Sequence, residues 1–177
     1  MPQISFKDYH PKLYSKDKVK SNILIVEDSE FVNNAIKNEL EKIGHSCTQA
    51  LSLEECLQFL KDNIYDFIVL DLHLPDAYGE RLFFNITSNS DAKIIILTAE
   101  TDVEIRHSLF KFGALDYIIK DKDFISSVHK IDDMINSINE NKEFNILIID
   151  DSSLVRKQID MILTVRNYKV FKAQTAK

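Results

Sequence analysis

The positions of apolar residues along the chain predict a regular alternation of short strands and amphipathic helices. Four runs are apolar at every position, whereas a strand with one solvent-facing side would alternate apolar and polar residues. Continuous runs of this length are typical of parallel strands that are buried on both faces of a sheet. A weaker strand fits between the first two runs. The five predicted strands cover residues 23–26, 46–50, 67–70, 94–97 and 117–119.

Between strands, apolar residues recur at the three- and four-residue spacing of amphipathic helices. Such stripes cover residues 31–43 and 124–138. A third helix is predicted to begin after Ser52, because Ser52 and Glu55 form a capping-box pattern ahead of an apolar face that includes Cys56. A chain in which strand and helix alternate five times predicts a doubly wound α/β fold with a five-stranded parallel sheet.

The first strand and the helix after it return later in the chain. Residues 22–29 read Asn-Ile-Leu-Ile-Val-Glu-Asp-Ser, and residues 145–152 read Asn-Ile-Leu-Ile-Ile-Asp-Asp-Ser, 123 positions further on. Aligning 22–50 with 145–173 gives ten identities in 29 positions. This offset matches the length of one compact domain, so the repeat indicates tandem duplication. The second copy is partial and contains a strand, a helix and a strand.

The predicted organisation has four segments. They are a polar N-terminal extension at 1–20, a complete α/β domain at 21–140, a linker at 141–144 and a truncated second copy at 145–177. The truncated copy leaves an apolar strand edge open, and such an edge tends to pair with another chain. We therefore expect the chain to self-associate, for example as a homodimer, unless the second copy docks on the first domain.

Composition and charge exclude several classes of function. The net charge of −6 argues against general nucleic-acid binding, which needs a basic surface against phosphate groups. No apolar run approaches the roughly 18 residues of a membrane span, and the first twenty residues contain no apolar signal-peptide core. We expect a cytoplasmic protein that binds neither nucleic acid nor membrane.

Polar side chains that can bind a metal or take part in a reaction follow the predicted strands, at the point where each strand ends. These residues are Glu27 and Asp28, then Asp71, then Thr98, then Lys120. In an open α/β sheet the ligand site lies beyond the carboxyl ends of the strands, so these side chains are predicted to converge there. Three carboxylates would repel one another without a cation, and Mg²⁺ prefers oxygen ligands of this kind. A carboxylate beside that ion can attack phosphorus to give an aspartyl-phosphate.

The order and spacing of these pieces resemble the bacterial response-regulator receiver family. The matching motifs are the Glu27-Asp28 pair, Asp71-Leu72-His73-Leu74-Pro75 followed by Gly79, then Thr98-Ala99, then residues 113–117 and Lys120. Any single motif would be weak, but five in the right order are specific. The resemblance implies a flavodoxin-like strand order of 2-1-3-4-5, with the start of a second tandem receiver after it.

The resemblance also implies roles for individual residues. Asp71 would be the phosphoacceptor, and Lys120 would offset negative charge on the phosphoryl oxygens. Mg²⁺ would be bound by Asp28, Asp71 and the main-chain carbonyl of His73, with Glu27 acting through water.

Signalling roles follow from the same resemblance. Thr98 would contact the phosphoryl group, and Thr98 and Tyr117 would be the coupled pair that relocates after phosphorylation. The partners would be a sensor histidine kinase or a phosphotransfer protein and a downstream effector that this sequence does not show. The chain would have no enzyme activity beyond its own phosphorylation and dephosphorylation.

The sequence departs from the family at two positions. Lys120 precedes Asp121, where the family usually has a proline after a cis peptide bond, and a cis bond to a non-proline residue costs about 2.5–4 kcal/mol. The acidic pair begins with Glu27 in place of the more common aspartate.

Simpler interpretations of the same residues stay open. Asp28 and Ser29 could cap the first helix, Thr98 could be an ordinary strand-end hydroxyl, and Tyr117 could be a core residue. At the level of function, the main alternative is a receiver-like interaction module that is not phosphorylated. A phosphatase with an aspartyl nucleophile is less favoured, because His73 stands where that chemistry usually has a second acid.

Overall fold

The structure is a computed structural model that describes residues 20–120 and 124–175. Nearly all of the predicted N-terminal extension, and the peptide bond between Lys120 and Asp121, lie outside these residues. A short 3₁₀ helix, Asn141–Glu143, joins the last helix of the first domain to the following strand. In chain order the other elements are β1 (Asn22–Val26), α1 (Glu30–Ile43), β2 (Ser46–Ala50), α2 (Leu53–Asp62), β3 (Phe67–Leu70), α3 (Gly79–Thr87), β4 (Lys93–Thr98), α4 (Val103–Lys111), β5 (Asp116–Ile119), α5 (Phe124–Glu140), β6 (Asn145–Ile149), α6 (Ser153–Val165) and β7 (Lys169–Ala173).

The first five strands form one parallel sheet in the order β2-β1-β3-β4-β5, which confirms the predicted doubly wound topology. Side chains of successive strand residues point to opposite faces, and each face has its own apolar core. Leu24 and Ile68 belong to the core beneath α2, α3 and α4, whereas Ile23 and Phe67 belong to the core beneath α1 and α5. The strands are continuously apolar because helices cover both faces of the sheet.

Capping residues set the start of the first two helices. The Ser29 hydroxyl accepts a hydrogen bond from the Val32 N–H and begins α1. The Ser52 hydroxyl accepts from the Glu55 N–H and begins α2, as the capping-box pattern predicts. The Glu55 carboxylate accepts a hydrogen bond from the N–H of Leu51, whereas a capping box would pair it with the N–H of Ser52. Because Ser29 supplies the cap of α1, the Asp28 carboxylate is available to the site at the end of β1.

The last three elements form a strand, a helix and a strand, with β6 and β7 paired in parallel as a separate two-stranded sheet. The end of α6 contacts the first domain. Lys93 Nζ donates to the Val165 carbonyl at 2.7 Å, and an Arg166 guanidinium N–H donates to the Leu115 carbonyl at 2.9 Å. The Val165 side chain packs against the core beneath α1 and α5. The segment therefore docks at one end, while its identity as a second receiver and the predicted domain boundaries stay predictions.

Among the helices that the structure describes, none combines the length and apolar character needed to cross a membrane.

Candidate functional site

The carboxyl ends of β1, β3, β4 and β5 bring the predicted polar side chains to one edge of the sheet. Val26 and Leu70 are partners in the ladder between β1 and β3, so the residues that follow them lie side by side. The Asp71 N–H extends this ladder by donating to the Val26 carbonyl at 2.9 Å. The Lys120 N–H likewise donates to the Thr98 carbonyl at 2.8 Å and extends the ladder between β4 and β5.

Three carboxylates meet at this edge. Oxygen atoms of Glu27, Asp28 and Asp71 all lie within 4.8 Å of one another. Glu27 is 3% exposed and Asp71 is 7% exposed, whereas Asp28 is exposed to solvent. Two nearly buried carboxylates with a third beside them are unfavourable unless positive charge is present.

Lys120 supplies the positive charge within the chain. Its Nζ lies 2.5 Å from Glu27 Oε2 and 2.5 Å from Asp71 Oδ2. Burial raises the pKa of Glu27 above its usual value, and the hydrogen bond from Lys120 offsets only part of that rise. Burial alone would lower the pKa of Lys120, but its bonds to the two carboxylates outweigh burial and raise that pKa.

The two oxygens of Asp71 have different surroundings. Oδ2 is bonded to Lys120, whereas Oδ1 accepts a longer hydrogen bond of 3.3 Å from the His73 N–H. The His73 ring stands further out, with Nδ1 4.0 Å from Asp71 Oδ1, and is half exposed. Oδ1 is therefore the Asp71 oxygen with the weaker hydrogen bond.

Thr98 and Tyr117 are both buried, and they contact the same residue. The Thr98 hydroxyl accepts a hydrogen bond from the Glu100 N–H at 3.2 Å. The Tyr117 hydroxyl donates to the Glu100 carbonyl at 3.0 Å. Burial raises the pKa of Tyr117 to about 12, so its hydroxyl is a neutral donor at physiological pH. The predicted pair is thus connected through the backbone of Glu100, which the sequence analysis did not single out.

The loop between β3 and α3 carries two further residues that sequence reasoning missed. Asp76 accepts hydrogen bonds from the N–H groups of Leu53 and Glu54 at 2.9 Å each, which ties this loop to the start of α2. Burial opposes ionisation of Asp76, but the backbone hydrogen bonds to its carboxylate together outweigh burial and lower its pKa. Tyr78 donates its hydroxyl proton to Glu100 Oε2 at 2.7 Å. Asp76 follows a proline in a turn, and this pattern could have identified it from the sequence as a residue that anchors the loop. No sequence pattern marks Tyr78.

The donor set fits a hard divalent cation. Mg²⁺ takes oxygen ligands and is usually bound by one or two carboxylates together with water and phosphate oxygens. Within residues 20–120 and 124–175, this is the one cluster in which three His, Cys, Asp or Glu side chains approach closely enough to share a metal. The participation of the His73 carbonyl stays a prediction.

Comparison with known proteins identifies the family to which this fold belongs. Residues 23–132 match the family described as the response regulator receiver domain, and the chain belongs to that family. The receiver domain is the phosphorylated module of two-component signalling, as the resemblance of the strand-end motifs implied.

Individual relatives show the same relationship. The transcriptional regulatory protein YvrH of Bacillus subtilis is 39% identical over 101 residues, which cover 56% of this chain and 43% of that protein. The response regulator TrrA of Thermotoga maritima, solved in complex with Mg²⁺ and BeF, is 30% identical with a TM-score of 0.55 and covers 65% of this chain and 98% of its own. A putative two-component response regulator/GGDEF domain protein is 26% identical with a TM-score of 0.71, over 89% of this chain and 63% of its own. The chain spans less than half the length of the curated relatives it matches.

Proposed function

We propose that this chain is a signalling switch in which Asp71 accepts a phosphoryl group from a sensor histidine kinase or a phosphotransfer protein. The observation that carries the proposal is the arrangement of Asp71, with Oδ2 bonded to Lys120 and Oδ1 accepting the longer hydrogen bond from the His73 N–H. In the transfer, a bond forms from Asp71 Oδ1 to phosphorus as the bond between phosphorus and the donor breaks, and the electron pair of that bond leaves with the donor.

The residues around Asp71 have separate tasks in this proposal. Lys120 stabilises negative charge on the carboxylate and on the phosphoryl oxygens. The Thr98 hydroxyl, which now accepts from Glu100, would bond a phosphoryl oxygen, and its displacement would release Tyr117 from the same loop. Mg²⁺ bound by Asp28 and Asp71, with Glu27 through water, would supply charge neutralisation.

The wider biology is part of the proposal. A downstream effector would respond to the phosphorylated state, and the chain would have no enzyme activity beyond its own phosphorylation and dephosphorylation. The cytoplasmic location and the absence of nucleic-acid binding stay predictions from the sequence. The kinship with response regulators supports the kinase partner.

Labelling with radioactive acetyl phosphate and Mg²⁺ tests the proposed function. We expect the wild type to incorporate label and Asp71→Asn to lose it, because an amide oxygen is too weak a nucleophile for phosphorus. Asp62→Asn, at the exposed end of α2, is the matched control and should label normally. Rapid turnover of donor without retained label would indicate a phosphatase, and no label on the wild type would favour an unphosphorylated interaction module.

A second prediction concerns the metal. Asp28→Ala should weaken Mg²⁺ binding by about tenfold or more, since even indirect partners of metal ligands contribute 10–100-fold. The measurement is an NMR titration of backbone amide shifts with Mg²⁺. Asp151→Ala is the control, because Asp151 occupies the equivalent position of the second copy and is not one of the three carboxylates of the cluster. Equal Mg²⁺ affinity in the wild type and Asp28→Ala would show that Asp28 is not a ligand.

A further inference from the structure

The loops that follow β3 and β4 near Asp71 are joined by a side-chain hydrogen bond. Tyr78 lies at the end of the loop between β3 and α3, and Glu100 lies in the loop between β4 and α4. The Tyr78 hydroxyl donates to Glu100 Oε2 at 2.7 Å. We refer to this pair of side chains as the latch.

The Glu100 carboxylate is held in place for this bond. Its other oxygen, Oε1, accepts from the Thr101 N–H at 2.8 Å and from the Asp102 N–H at 2.9 Å. The hydrogen bond from Tyr78 lowers the pKa of Glu100, and the same bond raises the pKa of Tyr78. At neutral pH the latch therefore joins a carboxylate to a neutral phenol, which is a charge-assisted hydrogen bond.

His73 fills the space between the latch and the phosphoacceptor. Its backbone forms an isolated antiparallel bridge with Tyr78, and the two rings lie 4.6 Å apart between centroids. His73 Nε2 is 3.7 Å from Glu100 Oε2, and Nδ1 is 4.0 Å from Asp71 Oδ1. The His73 ring therefore lies beside both Asp71 Oδ1 and the latch, on the side of the site where the two loops meet.

We propose that the bond between Tyr78 and Glu100 closes the opening of the site and gates the access of phosphodonors and water to Asp71 Oδ1. Asp71 is only 7% exposed, and the latch couples the two loops that border it. An incoming phosphoryl group carries negative charge and is repelled by the fixed Glu100 carboxylate, so transfer is favoured when the β4–α4 loop can move away. Tyr78 is in this sense a positioning residue. The inference rests on the proposed function of Asp71.

Tyr78→Phe tests the gate because it removes the hydroxyl and keeps a ring against His73. We expect the rate of labelling by acetyl phosphate and the rate of label loss each to rise by at least about twofold, since the closed state loses the hydrogen bond that stabilises it. Tyr168→Phe, in the turn before β7, is the matched control and should leave both rates unchanged. Rates in Tyr78→Phe that equal or fall below those of the wild type would overturn the gate.

A titration that needs no phosphoryl transfer tests the latch itself. In an ultraviolet pH titration of the whole chain, the pKa of Tyr78 should fall towards its usual value in Glu100→Gln, with Tyr78→Phe identifying the signal. An unchanged tyrosine titration in Glu100→Gln would show that the two side chains are not bonded. If the wild type takes no label while this titration behaves as expected, the proposed function fails and the latch stands; the reverse result removes the latch alone.

Discussion

Replacing Lys120 with methionine is expected to destabilise the metal-free fold by roughly 3–5 kcal/mol at neutral pH and to abolish labelling of Asp71. Lys120 Nζ is bonded to both Glu27 and Asp71, and both carboxylates are almost fully buried. Removing the ammonium leaves two adjacent buried charges without compensation. Methionine retains much of the length and packing of the lysine stem, so the loss reports chiefly the charge.

The pH dependence of this effect follows from the raised pKa of Glu27. A carboxyl whose pKa is higher in the folded state binds a proton more tightly when folded. Its stabilising contribution is complete below the unfolded value of 4.5 and is lost as the pH rises through the folded pKa. Ionised Glu27 thus destabilises the folded state at neutral pH, and Lys120 partly offsets this destabilisation. In Lys120→Met the offset is missing, so the loss in free energy of unfolding relative to the wild type should be largest at neutral pH and shrink towards pH 4.5.

Denaturant unfolding in chelator-treated buffer at several pH values provides the measurement. Lys61→Met, at the exposed end of α2, is the control and should differ little from the wild type at every pH. A Lys120→Met deficit that is constant over the acidic range, or absent at neutral pH, would contradict the assigned electrostatics. In the wild type, the raised pKa of Lys120 means that its contribution is present below pH 10.5 and is lost as the pH rises through the folded pKa.

The sequence was most informative where structure repeats over short distances. Strands such as β1 and β3 were predictable because both of their faces are buried, which forces continuous apolar runs. The bounds of α3 and α4 were not predictable from the sequence. Tyr78 precedes α3 without a side-chain hydrogen bond to cap it, and in α4 only Leu109 is buried, so α3 lacks a cap signal and α4 lacks a full apolar stripe.

The candidate site likewise contains residues that were predictable from the sequence and residues that were not. Glu27, Asp71 and Lys120 follow strands directly, and the sheet topology alone brings them together. Tyr78 and Glu100 are 22 residues apart in two loops, and their contact depends on the paths of both loops rather than on any periodic pattern. Loop conformations of this kind are set by many local hydrogen bonds, which a single sequence does not reveal.

The sequence left docking of the β6–α6–β7 segment open as an alternative to self-association but did not indicate which residues make the contact. The polar contacts from Lys93 and Arg166 go to backbone carbonyls, which leave no trace in a sequence pattern. One signal was present in the repeat itself. Val165 of α6, which packs on the first domain, stands 123 positions after Lys42, an exposed residue of α1. An apolar residue at a position that is polar in the first copy indicates a contact that the first copy does not make.

This docking leaves much of the segment's apolar surface uncovered. Leu147 of β6 pairs with Phe171 of β7, and these two side chains are 59% and 48% exposed. Ile149, two residues beyond Leu147, is also exposed and lies on the same face of the strand. Within the described residues β6 has one strand partner, β7, so its other edge also lacks a neighbour. An apolar strand with an open edge readily pairs with another chain.

We therefore expect the chain to associate with itself in a concentration-dependent manner through β6, although α6 docks on the first domain. Leu147→Lys places a charge on the apolar face next to the open edge and should weaken association by at least about tenfold, which corresponds to the roughly 1.4 kcal/mol of one lost apolar contact. Ile64→Lys is the control, because Ile64 is 91% exposed and lies in the first domain, between α2 and β3. Sedimentation velocity over a range of concentrations distinguishes the outcomes. A wild type that stays monomeric throughout, or association that Leu147→Lys leaves intact, would show that β6 is not the surface through which the chain associates.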